Sequence, residues 1–415
     1  MKSILNLLQW ISSRRLGALA AALAIVFLSG ATRMESAPPA LKYTLLTTFK
    51  GSMGAAPYGG LTLDTKGNLY GTTALGGTDY DGVVFKLSST AKESLLYSFT
   101  DGIDGGFPYA GVVRDGAGNL YGTTANGGSN NDGVVFKVTS SGVESVLYSF
   151  TGGIDGEFPE GGVVRDPSGN LYGTAEAAGN FGYGVVFKVD TSNNETVLYS
   201  FTGGTDGASS YSGLIRDSLG NLYGTTKDGG NPNCAFPFGG CGVVFKVDTS
   251  GNETVLYAFQ GGSDGAYPVA SLIMDSSGNL YGSTSDGGDV SCNHPNGYGT
   301  IFKVDTSNNE TVLYSFTGGT DGAYPLAGLV RDAVGNLYGT TYGGGKASCD
   351  SFQLGCGVVF KLNAAGHETV LHIFMGRTDG ANPESPLVRD GSGNLYGTAG
   401  AGGTAGDGVV FKISN

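Results

Sequence analysis

The residues able to do chemistry are few and unevenly placed. All five cysteines fall in three loops: Cys234 and Cys241 bracket "CAFPFGGC", Cys349 and Cys356 bracket "CDSFQLGC", and Cys292 stands alone in "CNHPNGYG". In an oxidising compartment two matched C-x6-C spacings read as local disulfides, Cys234 to Cys241 and Cys349 to Cys356. Each closes a short loop and adds about 2.5 kcal/mol by chain entropy if unstrained. The closer C-x2–4-C spacing and clustered histidines of a zinc site are missing. Tyr298 stands where a partner for Cys292 is expected.

The same loops carry Phe236, Phe238, His294, Tyr298, Tyr342 and Phe352. Rings on disulfide-held loops can stack on a sugar or clasp a peptide. Phe236, Phe238, His294, Tyr298 and Phe352 are therefore the expected ligand-binding residues, with packing of the long loops against one another as the plainer competing reading. A second set recurs as Asp-Gly at Asp104, Asp155, Asp206, Asp264, Asp321 and Asp379. Carboxylates arranged in a ring could hold Ca²⁺, although Asp-Gly is also an ordinary turn pair, and the turn is favoured.

Catalytic patterns are scarce. "GGSDG" (residues 261–265) matches G-x-S-x-G, but its Ser is replaced by Thr or Ile in sister segments and no strand-to-helix elbow is expected there. Of three histidines, His294 lies in a long loop, His367 in a turn on the opposite face, and His372 replaces the Tyr of "LYSF". They do not converge on a triad. No catalytic residue is assigned.

The elements that position these loops are set by a repeat. "GNLYG" begins at Gly67, Gly118, Gly169, Gly220, Gly278, Gly335 and Gly393, giving spacings of 51, 51, 51, 58, 57 and 58. A period near 50 indicates a propeller or a solenoid. Each period reads as four short strands: in the first, "GLTLD" is A, "NLYGTT" is B, "GVVFKL" is C and "ESLLYSF" is D. "DTKGN" between A and B suits a hairpin turn whose Gly takes the left-handed conformation and whose Asp accepts backbone hydrogen bonds.

The recognisable repeats begin with an orphan D strand, "YTLLTTF" (residues 43–49), and end on a C strand, "GVVFKI" (residues 408–413). Pairing of the two yields seven complete blades and removes two exposed edges. The expected fold is all-β, a seven-bladed β-propeller of four-stranded blades closed by the N-terminal strand. All extra length lies between B and C in blades four to six, where the distances are 18, 17 and 18 residues against 11 elsewhere. Those enlarged loops stand side by side on one face, and binding residues concentrate in such loops.

The pattern "GLVRDxxGNLYGTT…GVVFKVDxxGNETVLYSF" resembles the GloVer tandem repeat family, exported bacterial proteins called choice-of-anchor because members carry different attachment signals. The resemblance spans nearly all of residues 43–415 and implies export and repeat architecture but no activity. The sequence ends at Asn415 just after the last strand, so a C-terminal anchor of that family is not expected. "DxxGNLY" is also similar to the NHL-type propeller repeat, which bears on the fold alone.

Composition bounds the partners. With 36 acidic against 23 basic residues and a net charge of −13, the chain offers no footprint for nucleic acid or an anionic membrane. Lys2, Arg14 and Arg15 precede the apolar run "LGALAAALAIVFL", followed by the small residues of "SGA": a secretory signal over residues 1–31, with "ESA" a second cleavage candidate and an uncleaved anchor the alternative. Residues 32–42 then form a linker, and the mature chain has no transmembrane domain. The expected location is secreted, periplasmic or cell surface. Two functions follow: a binding module for a glycan or extracellular protein, using the loops of blades four to six, or a lyase or hydrolase acting on polysaccharide through paired carboxylates. Scarce histidine favours binding.

Overall fold

The computed structural model describes residues 41–234, 239–289, 296–346 and 354–414. The repeating unit is built on its A–B turn. In the first blade β2 (Thr62–Leu63), β3 (Leu69–Thr73), β4 (Val83–Leu87) and β5 (Glu93–Ser98) form one antiparallel sheet in chain order. Asp64 Oδ1 accepts the backbone N–H groups of Lys66 and Asn68, each at 2.9 Å, and its Oδ2 accepts Asn68 Nδ2 at 2.8 Å. Gly67, at φ +79°, supplies the left-handed residue. Burial opposes the charge on Asp64, but hydrogen bonds from Asn68, Lys66 and Tyr70 prevail and hold its pKa down to about 2.

The recurring Gly inside "NLYG" has a packing role. A Cβ on Gly71 would lie 2.8 Å from the ring of Phe85. Phe85 and its equivalents in the C strands are fully buried, and each receives the D-strand Phe of the preceding blade edge-on, as Phe99 meets Phe136 at 5.0 Å between centroids. These aromatic pairs are the seams between blades.

Seven four-stranded sheets are present, and the last is composite. β26 (Val388–Arg389), β27 (Leu395–Ala399) and β28 (Val409–Ser414) are completed by β1 (Lys42–Thr48), which pairs antiparallel with β28 through Tyr43 opposite Ile413 and Thr48 opposite Val409. The fold is thus a seven-bladed β-propeller closed by its N-terminal strand. Closure repeats at the inner edge. Thr72 donates its hydroxyl to the Ala110 carbonyl of the next blade at 2.7 Å, Thr123 to Gly161 at 2.9 Å, and Thr398 of the last blade to Pro57 of the first at 2.7 Å.

The A strands are shorter than the sequence suggests. "GLTLD" yields only Thr62–Leu63 as strand, because Gly59 and Gly60 turn toward the axis, where a Cβ on Gly60 would strike Pro386 at 2.7 Å. The repeat lysines Lys86, Lys137, Lys361 and Lys412 lie over tyrosine faces, Lys86 above Tyr70 at 5.6 Å with Arg114 at 5.5 Å from the same ring centroid. Among the described residues, no helix is long and apolar enough to cross a membrane.

Candidate functional site

The disulfide Cys234–Cys241 is present, with Cα atoms 5.8 Å apart. Cys356 is also disulfide-bonded. Cys349 and Cys292 lie outside the described residues, as do Phe236, Phe238, His294 and Phe352. Tyr298 is described and half-buried: its ring lies against Gly318 and edge-on to Tyr324 at 5.7 Å, within the apolar core between blades five and six.

The Asp-Gly carboxylates turn into their own loops. Asp104 accepts Tyr97 Oη at 2.9 Å, the Thr100 N–H at 3.1 Å and Thr100 Oγ1 at 2.5 Å. Asp155, Asp206 and Asp321 repeat this set. The recurrent Asp is therefore a turn-builder, and its oxygens are occupied by local donors instead of facing a common centre.

A cavity of about 700 Å³ opens on the propeller axis, lined by Tyr58, Tyr109, Glu160, Tyr211, Val269, Leu326 and Glu384, with Lys227 and Ser285 behind them. It continues into a narrower channel of about 310 Å³ among the inner glycines. The first seven residues occupy one column of the repeat, one from each D–A connection, between a Pro (Ser210 in blade four) and small residues. Lys227 and Ser285 directly follow B strands β15 (Leu222–Thr226) and β19 (Leu280–Thr284). The cavity therefore opens on the face of the D–A and B–C loops.

The backbone aims this column inward by a strained device present in every blade. Two residues before each lining residue stand Ala56, Phe107, Phe158, Ser209, Tyr267, Tyr324 and Asn382, all with φ between 53° and 58°. Non-glycine residues adopt this region at a cost, and persist there only where the surroundings fix them. The fixing bonds are visible. Tyr267 N–H donates to the Cys241 carbonyl at 3.0 Å, Tyr324 to Tyr298 at 2.9 Å and Asn382 to Cys356 at 2.9 Å. Thus the C-terminal ends of the three enlarged loops hold the segments that present Val269, Leu326 and Glu384 to the axis.

Around the mouth the chemistry is one-sided. Tyr58 and Tyr109 stack with centroids 6.3 Å apart and planes 20° off parallel. Glu160 follows, then Tyr211, whose hydroxyl donates to Glu176. Lys227 Nζ sits 5.3 Å from the Tyr211 centroid and 5.9 Å from that of Tyr267. Burial, reinforced by Glu176 and partly offset by Lys227, lifts the Glu160 pKa to about 7. Burial alone lifts that of Glu384 to about 7. Val269 and Leu326 close the ring with apolar surface. Two protonatable carboxyls, three phenols and one ammonium can hydrogen-bond hydroxyls, stack on flat rings or exchange a proton with a ligand.

Sequence reasoning passed over this column and placed its candidates in the enlarged B–C loops instead. The signal was available: seven aligned positions reading Tyr, Tyr, Glu, Tyr, Val, Leu and Glu beside near-constant Pro and small neighbours.

The fold has relatives among solved structures. An extracellular domain described as part of a one-component system of B. thetaiotaomicron aligns with TM-score 0.53 and 14% identity over 91% of this chain, which spans 42% of that one. A protein described as a gluconolactonase aligns with TM-score 0.44 and 12% identity over 91% of this chain and 93% of its own. A luciferin-regenerating enzyme aligns with TM-score 0.46 and 12% identity over 90% and 95% of the two chains. At 14% identity the first of these likenesses concerns the fold alone. Comparison with curated protein sequences finds no match. The sequence itself matches the Gloeobacter/Verrucomicrobia repeat over residues 31–238 and 236–415. The chain belongs to the Gloeobacter/Verrucomicrobia repeat family.

Proposed function

We propose that this protein is an exported binding module that captures a glycan or extracellular protein on the face bearing its D–A and B–C loops. The carrying observation is the axial cavity, formed at a column where the seven blades differ while their scaffold positions agree. Residues that vary on a repeated frame are free of the frame's packing duties, and here they surround one concave space. Phe236, Phe238, His294 and Phe352 of the enlarged loops remain proposed additional contacts, whereas the ring of Tyr298 packs into the core between blades five and six. The signal-like N-terminus and the Cys234–Cys241 disulfide support an oxidising, extracytoplasmic location.

A glycan array followed by titration of the Tyr58→Ala/Tyr109→Ala double variant tests this reading. Loss of about 1–3 kcal/mol of binding at unchanged fold is expected. Full affinity in the double variant would refute the axial site.

A second reading, a lyase or hydrolase acting on polysaccharide, draws on Glu160 and Glu384, both held with pKa about 7 in one cavity. Carboxyls so tuned suit general acid and base work near neutrality. A reducing-end assay on array-positive polysaccharides separates the readings: turnover abolished by Glu160→Gln and Glu384→Gln identifies an enzyme, and binding without turnover identifies the module.

A further inference from the structure

The two sides of the axial cavity differ in charge compensation. On the Glu160 side stand Lys227, wedged between Tyr211 and Tyr267, and Glu176, which receives the Tyr211 hydroxyl. On the Glu384 side no hydrogen bond or ion pair reaches the carboxylate among the described residues. Its neighbours are instead aromatic and apolar. Tyr58 is seated over the Cα of Gly400, where a Cβ would lie 2.7 Å from its ring, and stacks on Tyr109, with Leu326 adjoining. A buried carboxylate without a counter-charge is costly and is ordinarily paired or neutralised.

Resting on the axial-site reading, we propose that the ligand carries an organic ammonium group, seated against the faces of Tyr58 and Tyr109 with Glu384 as its counter-charge. Aromatic faces attract cations through the ring quadrupole, more strongly where water is displaced, and an adjacent carboxylate adds the Coulomb term. The acidic protein draws such a group toward it from solution, whereas an anionic ligand meets Glu160, Glu176 and Glu384. Val269 and Leu326 accept alkyl substituents on the nitrogen. The groups facing Glu384 across the cavity are Tyr58, Tyr109, Glu160, Tyr211 and Lys227. Binding of a permanently charged cation releases the proton that burial keeps on Glu384, so affinity for such a cation rises as pH approaches about 7 and levels off above it.

Calorimetric titration of the full protein with two cation/neutral pairs tests this: choline against its neutral isostere 3,3-dimethylbutanol, and a glucosamine dimer against its uncharged N-acetylated form. The cationic member of at least one pair should bind about tenfold or more tightly than its neutral counterpart. The pair that discriminates tells a quaternary amine from an amino sugar. Glu384→Gln should abolish the preference without lowering the melting temperature, and Tyr58→Leu should weaken both cations. Equal affinity within both pairs, a preference that survives in Glu384→Gln, or no binding of either cation at millimolar concentration would overturn the ammonium proposal. Neutral-sugar binding lost in Tyr58→Ala/Tyr109→Ala would at the same time leave the axial-site reading standing.

Discussion

Phe49 packs edge-on against Phe85 with ring centroids 5.0 Å apart. The contact joins the D strand supplied by the N-terminal segment to the first blade, and so completes a ring of seams that the other six blades make with consecutive sequence. Phe49 is fully buried, and its N–H donates to the Gly408 carbonyl at 3.0 Å. Phe49→Ala should cost about 3–5 kcal/mol, the usual range for emptying a buried Phe site. Deleting residues 43–49 should cost more, since β28 would be left with an unpaired edge. Chemical denaturation measures both; stability retained after deletion would contradict closure.

Reduction of the Cys234–Cys241 bond should act locally. It closes one loop within blade four, so Cys234→Ser/Cys241→Ser should lower stability by no more than about 2.5 kcal/mol and leave the seams intact. Non-reducing peptide mapping should recover this pair joined and a second bridge containing Cys356.

Calcium should leave the fold's stability unchanged. The six Asp-Gly carboxylates accept hydrogen bonds within their own turns, so a metal would have to displace those donors to bind. Thermal melts with added Ca²⁺ and with EDTA should superimpose; a calcium-dependent rise in melting temperature would contradict this assignment.

Stability should peak in mild acid. Glu144, Glu195, Glu253, Glu310 and Glu368 open successive D strands, and burial together with the Asp of the preceding blade lifts each pKa from 4.5 to about 7. The folded state then holds more protons than the unfolded chain between those values, so this contribution favours folding in acid and is lost as pH rises through about 7. Asp64 and Asp275, held at about 2 against 3.8, work in the opposite sense and lose their contribution as pH falls toward 2. A melting temperature highest near pH 4 to 5 and declining toward pH 8 is expected. Glu195→Gln/Glu253→Gln should flatten the decline.

What could be read from the sequence follows the symmetry. "GNLYGTT" specifies a hairpin because Asp and Asn bond across the turn and Gly supplies its left-handed residue. The orphan "YTLLTTF" specifies closure because one blade otherwise lacks a strand. Both are local or counting constraints. The cavity column is neither. Tyr58, Tyr109 and Glu160 follow a Pro in what reads as loop, and their inward aim depends on Ala56, Phe107 and Phe158 being held left-handed by bonds to neighbouring loops. Nothing in the types Ala and Phe announces that conformation. Aromatic content drew attention to the enlarged loops instead, yet the ring of Tyr298 is spent on core packing.

A crystal soaked with the tightest-binding member of the glycan and amine panels gives the most direct measurement of where this propeller recognises its ligand. Ligand density on the axis, against Tyr58 and Tyr109 and within hydrogen-bond reach of Glu384 or Glu160, is expected. Density confined to the opposite face or the outer rims of the blades, with the axial cavity empty, would contradict it.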